Sequence, residues 1–398
     1  MEKIKNKIKN LSKEFFVEAI HVRRHIHAHP ELAFEEHETA KLICSFLEKA
    51  GIEFQNGIAK TGVVGIIKGK NPDKKVVALR ADMDALPITE LNDITYKSGI
   101  PGKMHACGHD VHVASLLGAA KILKEISREF EGTVKLIFQP SEEKYPGGAK
   151  VMIGEGVLQN PQVDFIFGQH VYPDLEAGKI GLKAGQYMAS TDEIFITVKG
   201  KGGHGATPHK NIDPVLIASH IIVALQQIIS RNLNPIQPSV LTFGRVIADG
   251  RTNITPDEVK MEGIMRTFDE EWRSDMKIRI TKMAQSIAEG MGGKCEVIFD
   301  QGYPVLFNNE ELTGRAKQFA IEYLGGENVV DLEMRTTAED FAYFAQEIPG
   351  CFYRLGVRNE EKGITSNLHS ATFNVDESSL ETGMGLMAWM AVRELLNG

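Results

Sequence analysis

Residues 104–110 read MHACGHD and put a thiol and an imidazole two positions apart, Cys107 and His109, on a loop that Gly108 leaves free to turn. A Cys-x-His pair alone is a weak metal signal. It gains weight from Glu142 and Glu143 in QPSEE, His170 in FGQH and His369 in NLHS, because thiolate, imidazole and carboxylate donors at loop edges together suit a two-metal hydrolytic centre. Adjacent glutamates point in different directions, so one can bind metal while the other faces the bound water as general base. The plainer readings are a buried structural thiol, a core histidine at 170 and a solvated acidic turn at 142–143; the conjunction of all these residues at loop edges favours ligation. A Cys107–His109 nucleophilic dyad is disfavoured, since two residues' separation on one loop seldom allows in-line proton transfer.

The elements that must position these groups follow from hydrophobic periodicity. Apolar β-branched runs at 63–69, 76–82, 133–140 and 164–170 alternate with helical patterns, one over 111–127, which predicts a largely buried α/β sheet. Asp82, Asp84, Glu142, Glu143 and His170 each follow or close a strand, at the carboxyl edge where open α/β sheets bind ligands. From 188 to 301 the order becomes β-α-β-β-α-β, that of a ferredoxin-like α+β domain of about a hundred residues. It interrupts a catalytic domain made of residues 1–187 and 302–398, whose last part has helices near 310–324, 338–347 and 377–396. The glycine-rich KGKGGHGATPH at 199–209 lacks the endings of a phosphate-binding loop; its His204 is placed to reach a cleft and donate to a developing oxyanion. A second cluster, His21, His25, His27 and His29, lies in an expected helix with interleaved arginines and is read as structural or solvent-facing.

Composition bounds the rest. The chain has 398 residues, 42% hydrophobic and 25% charged, which suits two cores. A net charge of −8 argues against a nucleic-acid partner. The N-terminal MEKIKNKIKNLSKEFF reads as an amphipathic helix and not a signal peptide, no stretch is expected to span a bilayer, and no membrane partner is expected. Four scattered cysteines suit a reducing, cytoplasmic setting.

The motifs ALRADMDALPI, MHACGHDVH, QPSEE, GQHVYP, KGKGGHGATPH and SNLHSATFNVDE closely resemble the M20 metallopeptidase family, in its amidohydrolase branch of aminoacylases, hippurate hydrolases, acetyl-diaminopimelate deacetylases and auxin-conjugate hydrolases. The resemblance spans nearly the whole chain. It implies a mixed-sheet zinc-peptidase-like catalytic domain and an inserted lid domain that makes a homodimer or homotetramer. It further implies two divalent ions per subunit, zinc or manganese with cobalt or nickel as alternatives, acting on a small N-acyl amino acid. Transferred position by position, it makes Cys107, His109, Glu143, His170 and His369 the metal ligands and Glu142 the general base. His204 then stabilises the oxyanion, Asn253 and Arg266 bind the substrate carboxylate, and Asp84 orients a ligand. RADMD replaces the His-x-Asp of other branches, so Asp82 stands where they place a ligand histidine, and EKYPGGAK after the glutamates is longer and more polar than the expected continuation. A metallo-carboxypeptidase or dipeptidase, or a metal-binding protein without turnover, are the alternatives.

Overall fold

Strands with no polar alternation, such as VVALRAD, have to be covered on both faces. In the computed structural model, described for residues 1–397, that strand (Val76–Asp82) is buried at every position, as is Thr133–Gln139. The chain forms two compact units: residues 1–185, 307–333 and 340–398, and residues 186–306 and 334–339.

The larger unit is built on an eight-stranded mixed sheet, in the order Glu53–Ile58, Gly62–Lys68, Thr133–Gln139, Val76–Asp82, Phe165–Glu176, Gly350–Arg358, Ile180–Leu182, Val329–Asp331. The four central strands run parallel and an antiparallel pair closes one edge. The helices Glu2–Ala28, His109–Glu125 and Ser379–Leu395 contribute to one continuous apolar core with the sheet. The first is amphipathic as its pattern predicts: Ile8, Ser12, Phe15, Ala19, Arg23 and Ile26 recur every three or four residues and are buried. The expected strand ending at His170 in fact continues to Glu176, because its far half pairs with Gly350–Arg358, Val171 opposite Leu355 and Tyr172 opposite Gly356.

The smaller unit has its own core of Ile194, Ile196, Ile217, Ile221, Met261 and Ile280 among others. Its sheet runs Ser239–Ile247, Glu258–Thr267, Asp192–Lys199, Lys294–Gln301, antiparallel throughout, with the helices Pro214–Gln227 and Glu270–Gly290 packed in the same core. This is the ferredoxin-like order that the β-α-β-β-α-β pattern predicts. The unit's limits differ from 188–301. Residues 302–306 remain with it because Thr191 N–H donates to the Tyr303 carbonyl and Val305 N–H to Glu270, and residues 334–339 because Arg335 exchanges backbone hydrogen bonds with Tyr187 and Ala189. One expectation is corrected: the 19 residues Pro214–Asn232 are long and apolar enough to cross a membrane, though here Ile217, Ile221, Leu225 and Ile228 of this stretch lie in the unit's core.

Lys135 is the one charged residue in TVKLIFQ. Its ammonium is buried and donates to three backbone carbonyls, Val157 at 2.9 Å, Gln159 at 2.7 Å and Pro161 at 2.9 Å, which ties the loop after the helix Gly148–Gly154 to the sheet. Lys135→Met leaves these carbonyls without that donor and should cost about 2 kcal/mol in urea unfolding; an unchanged midpoint would show that the carbonyls find other partners.

Candidate metal centre

The sheet register brings the loops to one level. Asp82 lies opposite Gln139, and Arg80 lies opposite both Ile137 and Gly168, two residues before His170. After Gln139 the chain turns through Ser141, whose φ of 52° is left-handed, and reaches Glu142 and Glu143. Gly108 has a φ of 84°, and a Cβ there would come within 2.4 Å of Val171 Cγ2, so glycine is required both by the turn and by the close approach. The helix therefore begins at His109 and not near 111. His369 arrives on a separate loop, also with a left-handed φ of 61°, and its N–H donates to the Ala106 carbonyl.

These turns gather the donors. Cys107 Sγ lies 3.4 Å from His170 Nε2 and 3.3 Å from His369 Nε2. Glu143 Oε1 lies 3.2 Å from His369 Nε2 and 3.9 Å from His109 Nε2. Two triads, Cys107–His109–His170 and Cys107–Glu143–His369, each have their ligand atoms within 4.8 Å of one another and share the sulfur, while Glu142 joins His109 and Glu143 in a third group. Both nitrogens of His109 and Oε1 of Glu143 are buried and lack a hydrogen-bond partner among the described residues. Orphaned polar atoms at this depth are what a metal site looks like without its cations, so the donor set fits a dinuclear centre.

Surrounding groups fix which atoms face inward. His170 Nδ1–H donates to the Val171 carbonyl at 2.7 Å and leaves Nε2 with its lone pair toward Cys107. Asp84 accepts the N–H of Glu142 and of Glu143, both at 2.9 Å, and its Oδ1 stands 3.3 Å from His109 Nδ1; the geometry is that of an orienting residue. Asp82 pairs with Arg80 Nη1 at 2.6 Å and with His112 Nδ1. His112 Nε2 accepts the Val171 N–H at 2.8 Å, so both of its nitrogens are occupied and it is support rather than ligand. Arg80 also donates to Gln139 and Asp340. Nothing in the motif reading assigned a role to Arg80 or His112, although His112 lies one helical turn after His109 and so shares its face.

The electrostatics are those of a site dominated by carboxylates. Burial, reinforced by Glu143 and Glu142, pushes the Cys107 thiol well above its usual range. Burial pulls the His109 imidazole down, but Asp82, Asp84 and Glu143 outweigh it and hold it at about 10. The Glu143 carboxylate, 3.2 Å from Nε2, raises His369 against the effect of burial.

The remaining expected site residues belong to the smaller unit. His204 ends the short strand Gly203–His204, where it pairs with Ile254, and the Asn253 carbonyl accepts the Gly205 N–H, so these two residues stand together. His204 is exposed, and its Nδ1 accepts the Ala206 N–H at 3.0 Å. Arg266 donates to the Thr336 carbonyl at 3.2 Å and has no carboxylate partner among the described residues.

A mixed-sheet α/β unit with a buried thiol, imidazole and carboxylate cluster, in a chain that also carries a separate α+β unit, defines a metal-dependent hydrolase of the amidohydrolase and peptidase kind. The chain belongs to peptidase family M20/M25/M40, which matches residues 78–393. It is 41% identical over 396 residues to thermostable carboxypeptidase 2 of Saccharolobus solfataricus, covering 99% of this chain and 98% of that protein. It is 40% identical over 381 residues to the N-acetylcysteine deacetylase of Bacillus subtilis, covering 96% and 97%. Among solved structures, a dinuclear metal-binding M20 peptidase of Bacillus subtilis, the YXEP protein, superposes with a TM-score of 0.85 at 37% identity, covering 97% of this chain and all of that one.

In the metal-free protein Cys107 and His109 both hold protons at pH 7, and both must lose them to ligate. Metal affinity should therefore rise with pH between 6 and 8, by about tenfold to a hundredfold per unit for one to two protons released. Cys107→Ser should remove part of that slope in a chelator-competition titration; a slope near zero in the unaltered protein would contradict the assignment of these two ligands.

Proposed function

We propose that the protein hydrolyses the amide bond of N-acyl amino acids, releasing a carboxylate and a free amino acid, at a centre whose ligands are Cys107, His109, Glu143, His170 and His369. The observation that carries this reading is the sulfur of Cys107 shared by two donor triads beside a second, adjacent glutamate. Two divalent ions, zinc or manganese with cobalt and nickel also suited to these donors, supply a polarised water and a Lewis acid for the carbonyl oxygen. Glu142 takes a proton from the attacking water on a carboxylate oxygen and returns it to the departing amine nitrogen. Asp84 holds the Glu142 backbone at 2.9 Å and orients His109, so it acts by positioning.

His204 supplies the donor for the carbonyl oxygen. Because its Nδ1 accepts the Ala206 N–H, the neutral ring carries its proton on Nε2, the form that donates as negative charge builds. Arg266, whose guanidinium donates to the Thr336 carbonyl and meets no carboxylate among the described residues, pairs with the substrate carboxylate, and Asn253 adds a hydrogen bond. The smaller unit acts as lid and as the contact of a homodimer or homotetramer, in the cytoplasm, where the four cysteines stay free of disulfides.

Glu142→Ala should lower turnover of acetyl and benzoyl amino acids at least about a thousandfold while the bound metal per subunit stays near that of the unaltered protein. Loss of metal together with activity would instead make Glu142 a ligand. The similarity to a carboxypeptidase favours a second reading, cleavage of C-terminal peptide bonds by the same groups. A panel of acyl amino acids against unblocked dipeptides, after reconstitution with each metal, separates the two.

A further inference from the structure

The N-terminal stretch 23–36, which lies before the residues matched by the family, buries more charge than docking a helix requires. Arg23, His27 and Glu36 are all fully buried, and none of them has a part in the hydrolysis described above. Ionisable groups are placed so deep only with specific partners. Three of the contacts made by this stretch fall one residue from a group of the metal centre: Asp110 follows His109, Ala85 follows Asp84 and Ser141 precedes Glu142.

Arg23 Nε and His27 Nδ1 meet the same oxygen of Asp110, at 2.7 and 2.8 Å, and Asp110 is the residue after His109. His27 Nε2 faces Glu90 at 3.2 Å, and Glu90 is in turn held by the Ser98 N–H at 2.7 Å, so the imidazole is clamped from both sides. The Glu31 carbonyl accepts the N–H of Ala85, the residue after Asp84, at 2.8 Å. Glu36 Oε1 accepts the N–H of Ser141 at 2.8 Å and that of Phe34 at 3.0 Å, while its Oε2 accepts the Thr61 hydroxyl at 2.6 Å. Ser141 is the left-handed residue that aims Glu142 and Glu143, and a non-glycine residue keeps that conformation only when its surroundings hold it there.

We propose that segment 23–36 is a brace for the metal centre, with Arg23, His27 and Glu36 as positioning residues that set the distance between the loops carrying His109, Asp84 and the glutamate pair. The proposal rests on the ligand assignment given above. The contacts at Asp110, Ala85 and Ser141 reach the charge or backbone beside a group of the centre and not that group itself. Loss of these contacts should therefore loosen the spacing of the donors while leaving their chemistry intact.

The test uses full-length protein stripped of metal and titrated with cobalt, well below the melting temperature of each metal-free variant. The readouts are the cobalt dissociation constant against a competing chelator, the thiolate-to-cobalt absorption band and the metal-free melting temperature. Glu36→Ala and His27→Ala should weaken cobalt binding about tenfold or more and shift the band, as outer partners of metal ligands do. Glu36→Gln keeps an acceptor for Ser141 and should recover most of the affinity. Cys107→Ala should abolish the band. A band that survives Cys107→Ala overturns the ligand assignment and the brace with it. If that band is lost while Glu36→Ala and His27→Ala bind cobalt as the unaltered protein does, the brace alone is overturned. A Glu36→Gln variant as impaired as Glu36→Ala overturns it too.

Discussion

Cys107 Sγ stands 3.3 and 3.4 Å from two imidazole nitrogens, in one cluster with His109, Glu142 and Glu143. Without cations this is an unfavourable arrangement: burial and the neighbouring carboxylates keep the thiol protonated, and His109 has no hydrogen bond to either nitrogen. Divalent charge reverses each of these penalties at once, since it favours the thiolate, the neutral imidazole and the ionised glutamate together. The rest of the larger unit can be understood as the scaffold that holds this cluster in place until the charge arrives.

That scaffold is the parallel heart of the sheet. Two neighbouring strands pass into loops at the same height, because Asp82 pairs with Gln139, and a third, with Gly168 opposite Arg80, carries His170 alongside them before running on. Beneath the rim, the buried Arg80 guanidinium bridges Asp82, Gln139 and Asp340, so strands and a later helix are joined by charge-assisted hydrogen bonds where apolar packing would leave their relative height soft. A positioning error of an ångström at a metal centre is costly, and the polar bracing is concentrated where the donors leave the sheet.

The sequence was legible where periodicity and donor type speak locally. The fully apolar runs marked the buried strands, the β-α-β-β-α-β order marked the smaller unit, and the residue types at 107, 109, 142, 143, 170 and 369 marked the cluster. What escaped were roles set by partners far along the chain. Nothing about His27 in a helix full of histidines shows that it meets Asp110, 83 residues away, and nothing about Glu36 shows that it caps Ser141, 105 residues on. His112 escaped for the opposite reason: its neighbours are visible, but whether its nitrogens are free depends on Asp82 and the Val171 N–H. The same holds for residues 334–339, whose place in the smaller unit depends on backbone pairing with Tyr187 and Ala189 that side-chain patterns do not encode.

The substitution in RADMD becomes intelligible in these terms. Asp82 is held well below the usual carboxylate range: burial alone would raise it, but Arg80, His109 and His112 prevail. Its oxygens are committed to a guanidinium and an imidazole, and the one nearer His109 remains 3.8 Å from Nε2. A position fixed in this way supports the centre, and its carboxylate also groups with His109 and His112. Cys107 stands at the junction of the two triads that share its sulfur. With the ligation proposed above, a thiolate in that place would make the centre softer than one built of imidazole and carboxylate alone and would tie its assembly to loss of a proton.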